Sequence, residues 1–104
     1  MAKKNVPIKR LVATPGALEL IRQSVEDNEH TEELAQAKLH ELVGRHARGD
    51  WGEVCKGDAK LNDEAADSGM RDRVLSSYLV GGKTVWIITD AGAAVTTVLL
   101  PEDY

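Results

Sequence analysis

Two adjacent glycines, Gly81 and Gly82, stand between two runs of strand-forming residues, Arg73-Val74-Leu75-Ser76-Ser77-Tyr78-Leu79-Val80 and Lys83-Thr84-Val85-Trp86-Ile87-Ile88-Thr89. A diglycine supplies the positive φ that a two-residue hairpin turn needs, and such a turn fixes the register of the strands it joins. Tyr78 then faces Val85, Ser77 faces Trp86, Ser76 faces Ile87 and Leu75 faces Ile88. Arg73 falls opposite Asp90, an opposite-charge pair of the kind that supports a ladder. After a turn at Asp90 to Ala94, the run Val95-Thr96-Thr97-Val98-Leu99-Leu100 places Val98 opposite Ile87 and Leu99 opposite Trp86. The reading is an antiparallel meander over residues 71 to 100, apolar on both faces, with Trp86 largely buried on the central strand. One face takes helices; the other requires a second layer or a partner subunit.

The helices come from the preceding residues. Val6 to Ala13 is a short apolar stretch whose Pro7 suits an edge strand and not a central one. Thr14-Pro15 reads as an N-cap followed by proline at the first helical position, and Leu18, Ile21 and Val25 give a helical stripe over residues 15 to about 27. The polar cluster Asp27-Asn28-Glu29-His30 ends it. Thr31 reads as a second N-cap, with Glu32 and Glu33 in the first turn. Leu34, Ala35, Leu39, Leu42 and Val43 continue as a stripe to about residue 48, where Gly49 stops it. Residues 50 to 58 form an irregular turn. A short helix over 58 to 67, with Leu61, Ala65 and Ala66 inward, ends at Gly69. The expected fold is α+β: N-terminal helices packed on a C-terminal three-stranded antiparallel meander, with an N-terminal edge strand as a further element. At 104 residues, residues 1–104 make one domain.

Charge narrows the function classes. The net charge is −4, and a net acidic domain is a poor general binder of phosphate backbones, which need clustered Lys and Arg. The first ten residues are nevertheless basic, through Lys3, Lys4, Lys9 and Arg10, whereas Glu19 to Glu41 is rich in acids. The single cysteine, Cys55, allows no internal disulfide, and no apolar run approaches membrane length, so the expected location is cytoplasmic, with no membrane association.

Several residues invite a chemical reading beside a structural one. His46 falls three residues after Val43 and seven after Leu39, on or beside the apolar stripe. It is either a general acid or base, since histidine titrates near neutrality, or a histidine that closes the helix C-terminus. Gly49-Asp50-Trp51-Gly52 either presents Asp50 and Trp51 to a ligand or folds Trp51 over the sheet edge with Asp50 fixing the turn. Arg71, Arg73, Ser76, Ser77, Tyr78, Thr96 and Thr97 set polar groups on neighbouring strands, as compact ribonucleases do, although cross-strand Ser and Thr pairs are equally expected of any half-covered sheet. A nuclease site would draw on His46, Arg73, Ser77 and Thr97; a binding site would draw on Asp50, Trp51, Arg71 and Tyr78. His30, His40, His46 and Cys55 lack paired ligand spacing, so no metal site is expected. Gly81-Gly82 joins two strands instead of opening a helix, so it is no phosphate loop. No cofactor is implied.

Val12-Ala13-Thr14-Pro15-Gly16-Ala17-Leu18-Glu19, Arg45-His46-Ala47-Arg48-Gly49-Asp50-Trp51-Gly52, Gly69 through Arg73, Ser77-Tyr78, Trp86-Ile87-Ile88-Thr89 and Thr96 through Tyr104 together resemble a small bacterial family. Its members travel on plasmids and other mobile elements and carry loose labels such as plasmid-related protein or type I restriction endonuclease subunit M. The resemblance covers nearly the whole chain and implies no established activity; a chain of this size has no room for a methyltransferase domain. Two departures stand out. The turn after the Trp-Ile-Ile-Thr strand is Ala91-Gly92-Ala93-Ala94, where the family pattern carries an acidic residue and an arginine, and residues 24 to 38 are longer and more acidic. Two functions follow as expectations. One is a non-enzymatic binding or regulatory module of mobile-element origin, a homodimer or bound to a protein partner, with nucleic acid not expected. The other is a ribonuclease-like toxin or a degenerate relative of one.

Overall fold

A computed structural model describes residues 5–27 and 29–104; Lys3, Lys4 and Asn28 of the sequence reading lie outside them. In chain order the elements are β1 (Arg10–Ala13), α1 (Pro15–Ser24), α2 (Thr31–Ala47), α3 (Lys56–Asp67), β2 (Val74–Val80), β3 (Lys83–Thr89) and β4 (Val95–Leu99). Short 3-10 turns lie at Ala91–Ala93 and Pro101–Asp103.

The diglycine hairpin forms in the expected register. Gly81 and Gly82 take φ of 58° and 79°, and Tyr78 pairs with Val85, Ser77 with Trp86, Ser76 with Ile87 and Leu75 with Ile88. On the other flank of β3, Trp86 pairs with Leu99 and Ile87 with Val98.

The sheet as a whole corrects the expected three-stranded meander. It has four strands in the order β1-β4-β3-β2, and β1 runs parallel to β4, Arg10 beside Val95 and Ala13 beside Val98. The sheet is therefore mixed. The chain leaves β1 through α1 and returns to its neighbour only after two more helices and a hairpin, a crossover that local pattern does not encode.

Alternation assigns the two faces. Val74, Ser76, Tyr78 and Val80 of β2, Val85, Ile87 and Thr89 of β3, and Thr96 and Val98 of β4 are buried on the inner face. There Tyr78, Val80, Val85, Ile87 and Val98 pack with Ala17, Leu20 and Ile21 of α1 and Ala35, Leu42 and Val43 of α2. A second cluster joins Val6, Trp51, Ala65, Met70, Val74 and Ala93. The outer face carries Leu75, Ser77, Trp86, Ile88, Thr97 and Leu99. Ile88 and Leu99 are buried there within the chain itself. Trp86, expected to be largely buried, is only half-buried: it lies on this thinner face, with the Tyr104 ring edge-on at 6.0 Å.

Four local expectations change for identifiable reasons. α1 ends at Ser24, whose hydroxyl donates to Ile21 O at 2.7 Å and competes with continued helix. α2 begins at Thr31, which does not cap it; its hydroxyl donates to Asp27 O and accepts the Asp27 N–H, organising the preceding turn. In α3, Leu61 points outward and is 63% exposed, while Asn62 turns inward. Arg73 lies just before β2 and does not pair with Asp90 in the ladder; its guanidinium donates to the Tyr104 hydroxyl instead.

Candidate functional site

His46 closes the last turn of α2 and is fully buried against the inner face of the sheet. Its Nδ1 is 2.6 Å from Ser76 Oγ of β2 and its Nε2 is 2.8 Å from Thr89 Oγ1 of β3. Thr89 Oγ1 in turn lies 2.8 Å from Thr96 Oγ1 of β4. A line of polar atoms thus crosses three strands, dividing the apolar cluster under α1 and α2 from the one under Trp51. Either neutral tautomer satisfies it, because each hydroxyl can donate or accept. Burial alone pushes the His46 pKa down to about 4, since the imidazolium would lose its hydration without meeting an opposite charge. The ring is therefore neutral at ordinary pH and holds the helix end to the sheet.

Trp51 seals this arrangement. Its ring lies edge-on to His46 at 5.9 Å, and its Nε1 donates to Asp63 Oδ1 of α3 at 3.0 Å. The loop that carries it is fixed from several sides. Arg45 Nε donates to Asp50 Oδ2 at 2.7 Å, Asp50 Oδ1 accepts the Gly52 N–H at 3.3 Å, and the buried Tyr78 hydroxyl donates to Asp50 O at 2.6 Å. The Arg45 hydrogen bond lowers the Asp50 pKa, and burial pushes the Tyr78 phenol up to about 12. The Arg45 guanidinium also covers the Tyr78 ring at 4.6 Å.

The same loop closes one edge of the sheet. Ser77 N–H donates to Trp51 O at 3.0 Å, and Glu53 N–H donates to Ser77 O at 2.6 Å, so residues 51 to 53 add a one-bridge parallel strand beside β2. Two residues earlier, the Asn62 side chain does the same: its Nδ2 donates to Leu75 O at 2.8 Å and its Oδ1 accepts the Leu75 N–H at 3.2 Å. Gly52 has φ of 73°, and a side chain there would overlap the Ser77 carbonyl. The glycine is required by this close approach.

The residues of a possible nuclease do not converge. His46 is on the inner face, whereas Ser77 and Thr97 face outward with Trp86 and Ile88. Arg73 is near the outer rim, its guanidinium over the Tyr104 ring at 5.3 Å. The sheet itself stands between histidine and hydroxyls. Of the candidate binding residues, Trp51 and Tyr78 are interior, Asp50 is held by Arg45, and Arg71 is exposed. Among the described residues no three His, Cys, Asp or Glu side chains gather as a metal site. Cys55 is exposed and caps α3, its Sγ accepting the Asp58 N–H at 3.5 Å.

Asn62, Thr89 and the full course of the polar line escaped the sequence reading, but two signals pointed to them. Ala59, Asn62, Ala65 and Ala66 share one helical face, so Asn62 is the polar member of an apolar stripe. The register that pairs Ile87 with Val98 also pairs Thr89 with Thr96, two residues on and on the same face.

These features define a small α+β domain whose buried polar groups serve its architecture. No family model, no curated protein and no solved structure matches the chain.

Proposed function

We propose that this chain is a non-enzymatic binding module that acts by recognising another protein, in the mobile-element setting that the sequence resemblance implies. The observation that carries the reading is the placement of His46. The strongest candidate for proton transfer is sealed beneath Trp51, with both ring nitrogens engaged by Ser76 and Thr89. A hydrolytic site on RNA needs a proton-transfer group within reach of substrate and cations at the developing charge. Here the Ser77 and Thr97 hydroxyls and Arg73 lie across the sheet from the imidazole, and the net charge of −4 opposes a polyanion.

A homodimer is the other form of this recognition. The sequence bases it on a second apolar face, and that face is narrower in the structure, because Ile88 and Leu99 are covered within one chain. The reading is tested by crosslinking the tagged full chain in its host and digesting the adducts separately with nuclease and with protease. Adducts that resist nuclease and yield peptides of a second protein, or of this chain, are expected. Adducts dominated by RNA or DNA would overturn it.

A further inference from the structure

The two edges of the sheet are built differently. At β2 the outward backbone groups of Leu75 and Ser77 are satisfied within the chain, by the Asn62 side chain and by Trp51 and Glu53. At β1 no such cover appears among the described residues. Thr14 N–H donates to Val98 O at 2.9 Å, so Thr14 turns its backbone donor toward β4. Because successive residues of a strand alternate direction, Leu11 and Ala13 turn their N–H and C=O groups to the free edge. Leu11 and Val12 are 38% and 36% exposed. Proteins ordinarily blunt such an edge, since it is a template for another strand. Here one edge is blunted at Leu75 and Ser77, and the other is open among the described residues.

We propose that β1 is the docking edge of this module, and that it takes an extended segment of a partner protein as a fifth, antiparallel strand. The inference rests on the recognition reading above. Main-chain pairing to Leu11 and Ala13 supplies the attachment, as in other strand-addition complexes. The chemistry of the segment follows from the charges beside it. Lys9 and Arg10 are exposed, and neither has an ion-pair partner among the described residues. In an antiparallel pairing, the C-terminal end of the incoming segment lies beside them. The partner is therefore apolar or β-branched along the strand and acidic where it passes Arg10 and Lys9. A second copy of this chain fits the edge less well. Symmetric antiparallel pairing would gather the exposed Lys9 and Arg10 of both copies, four cations, around one short ladder.

The test uses the full chain and a synthetic heptapeptide, Val-Thr-Val-Thr-Val-Glu-Glu, with amide NMR as the readout. On titration at low salt, the Leu11 and Ala13 amides should shift and gain exchange protection while those of β2 stay unchanged. Leu11→Pro removes an outward donor at an edge position where proline is tolerated, and should abolish binding with the β2 to β4 amides unmoved. Reversing both charges, Lys9→Glu with Arg10→Glu, should weaken binding about tenfold and favour a Lys-Lys ended peptide instead. Shifts centred on Trp86, no change in β1 at millimolar peptide, or indifference to both variants would overturn the proposal. Concentration-dependent broadening of the β1 amides without peptide would also overturn it, assigning the edge to a second copy. RNA adducts in the crosslinking experiment would defeat the recognition reading whatever β1 does, whereas protein adducts mapping away from β1 would defeat the edge alone.

Discussion

Acidifying the solution through the range between pH 6.5 and 4 should destabilise this protein through one residue, His46. In the unfolded chain its imidazole titrates at the ordinary 6.5; in the folded chain burial lowers it to about 4. A lowered histidine pKa means that, between those values, the unfolded state binds a proton that the folded state refuses. Stability is therefore complete above pH 6.5, falls as pH drops toward 4, and levels below it. The fall from 6.5 to about 4 gives about 3 kcal/mol in full, of which about 2 kcal/mol is lost by pH 5. The lowered carboxyl groups of Asp50 and Asp103 act in another window. Their contribution is present above the unfolded carboxylate value of 3.8 and is lost below it, so it scarcely overlaps. The assay is urea denaturation at half-unit intervals from pH 7.5 to 4.5, followed by far-UV circular dichroism. His46→Gln, which cannot titrate, serves as control; it should be less stable at pH 7.5 and lose the slope attributed to His46. Equal slopes in parent and variant, or a parent whose stability is flat from pH 7 to 5, would refute the reasoning.

Two further outcomes follow from the closed edge. Asn62→Ala strips both side-chain bonds from the Leu75 backbone and should cost about 2 kcal/mol in a denaturant titration; a cost under half of that would mean water replaces the amide. Gly52→Ala forces a side chain into the Ser77 carbonyl and 2.7 Å from Tyr78 Cδ1, at a φ of 73°, and should cost about 3 kcal/mol or more, with earlier hydrogen exchange along β2. A neutral effect would mean that residues 51 to 53 do not pack on β2 in solution.

The hairpin was legible because Gly81-Gly82 and the alternation around it are local signals that agree, and the partners of β3 followed from counting residues. The place of β1 was not legible as a parallel neighbour of β4, since its partner lies more than eighty residues away and four residues carry little pattern of their own. α3 shows a different limit. The rule that apolar residues turn inward favoured Leu61, yet what the helix meets is a strand edge with unpaired backbone groups, and an amide serves that edge better than an aliphatic chain. His46 was recognised as a residue with two readings, and position on a helical stripe could not choose between them. The choice depends on which hydroxyls face it, and those come from two strands, Ser76 of β2 and Thr89 of β3, that meet the helix only in the folded chain.

The central claim is that this domain recognises and does not cut. It is tested most directly by incubating the purified chain, at micromolar concentration and with and without magnesium, with end-labelled single-stranded RNA and with duplex DNA, and resolving the products on denaturing gels. Both substrates should remain intact, for the parent as for His46→Gln. Cleavage that tracks the protein through purification and disappears in folded Arg73→Ala or Ser77→Ala variants would contradict the account and place a nuclease site on the outer face of the sheet.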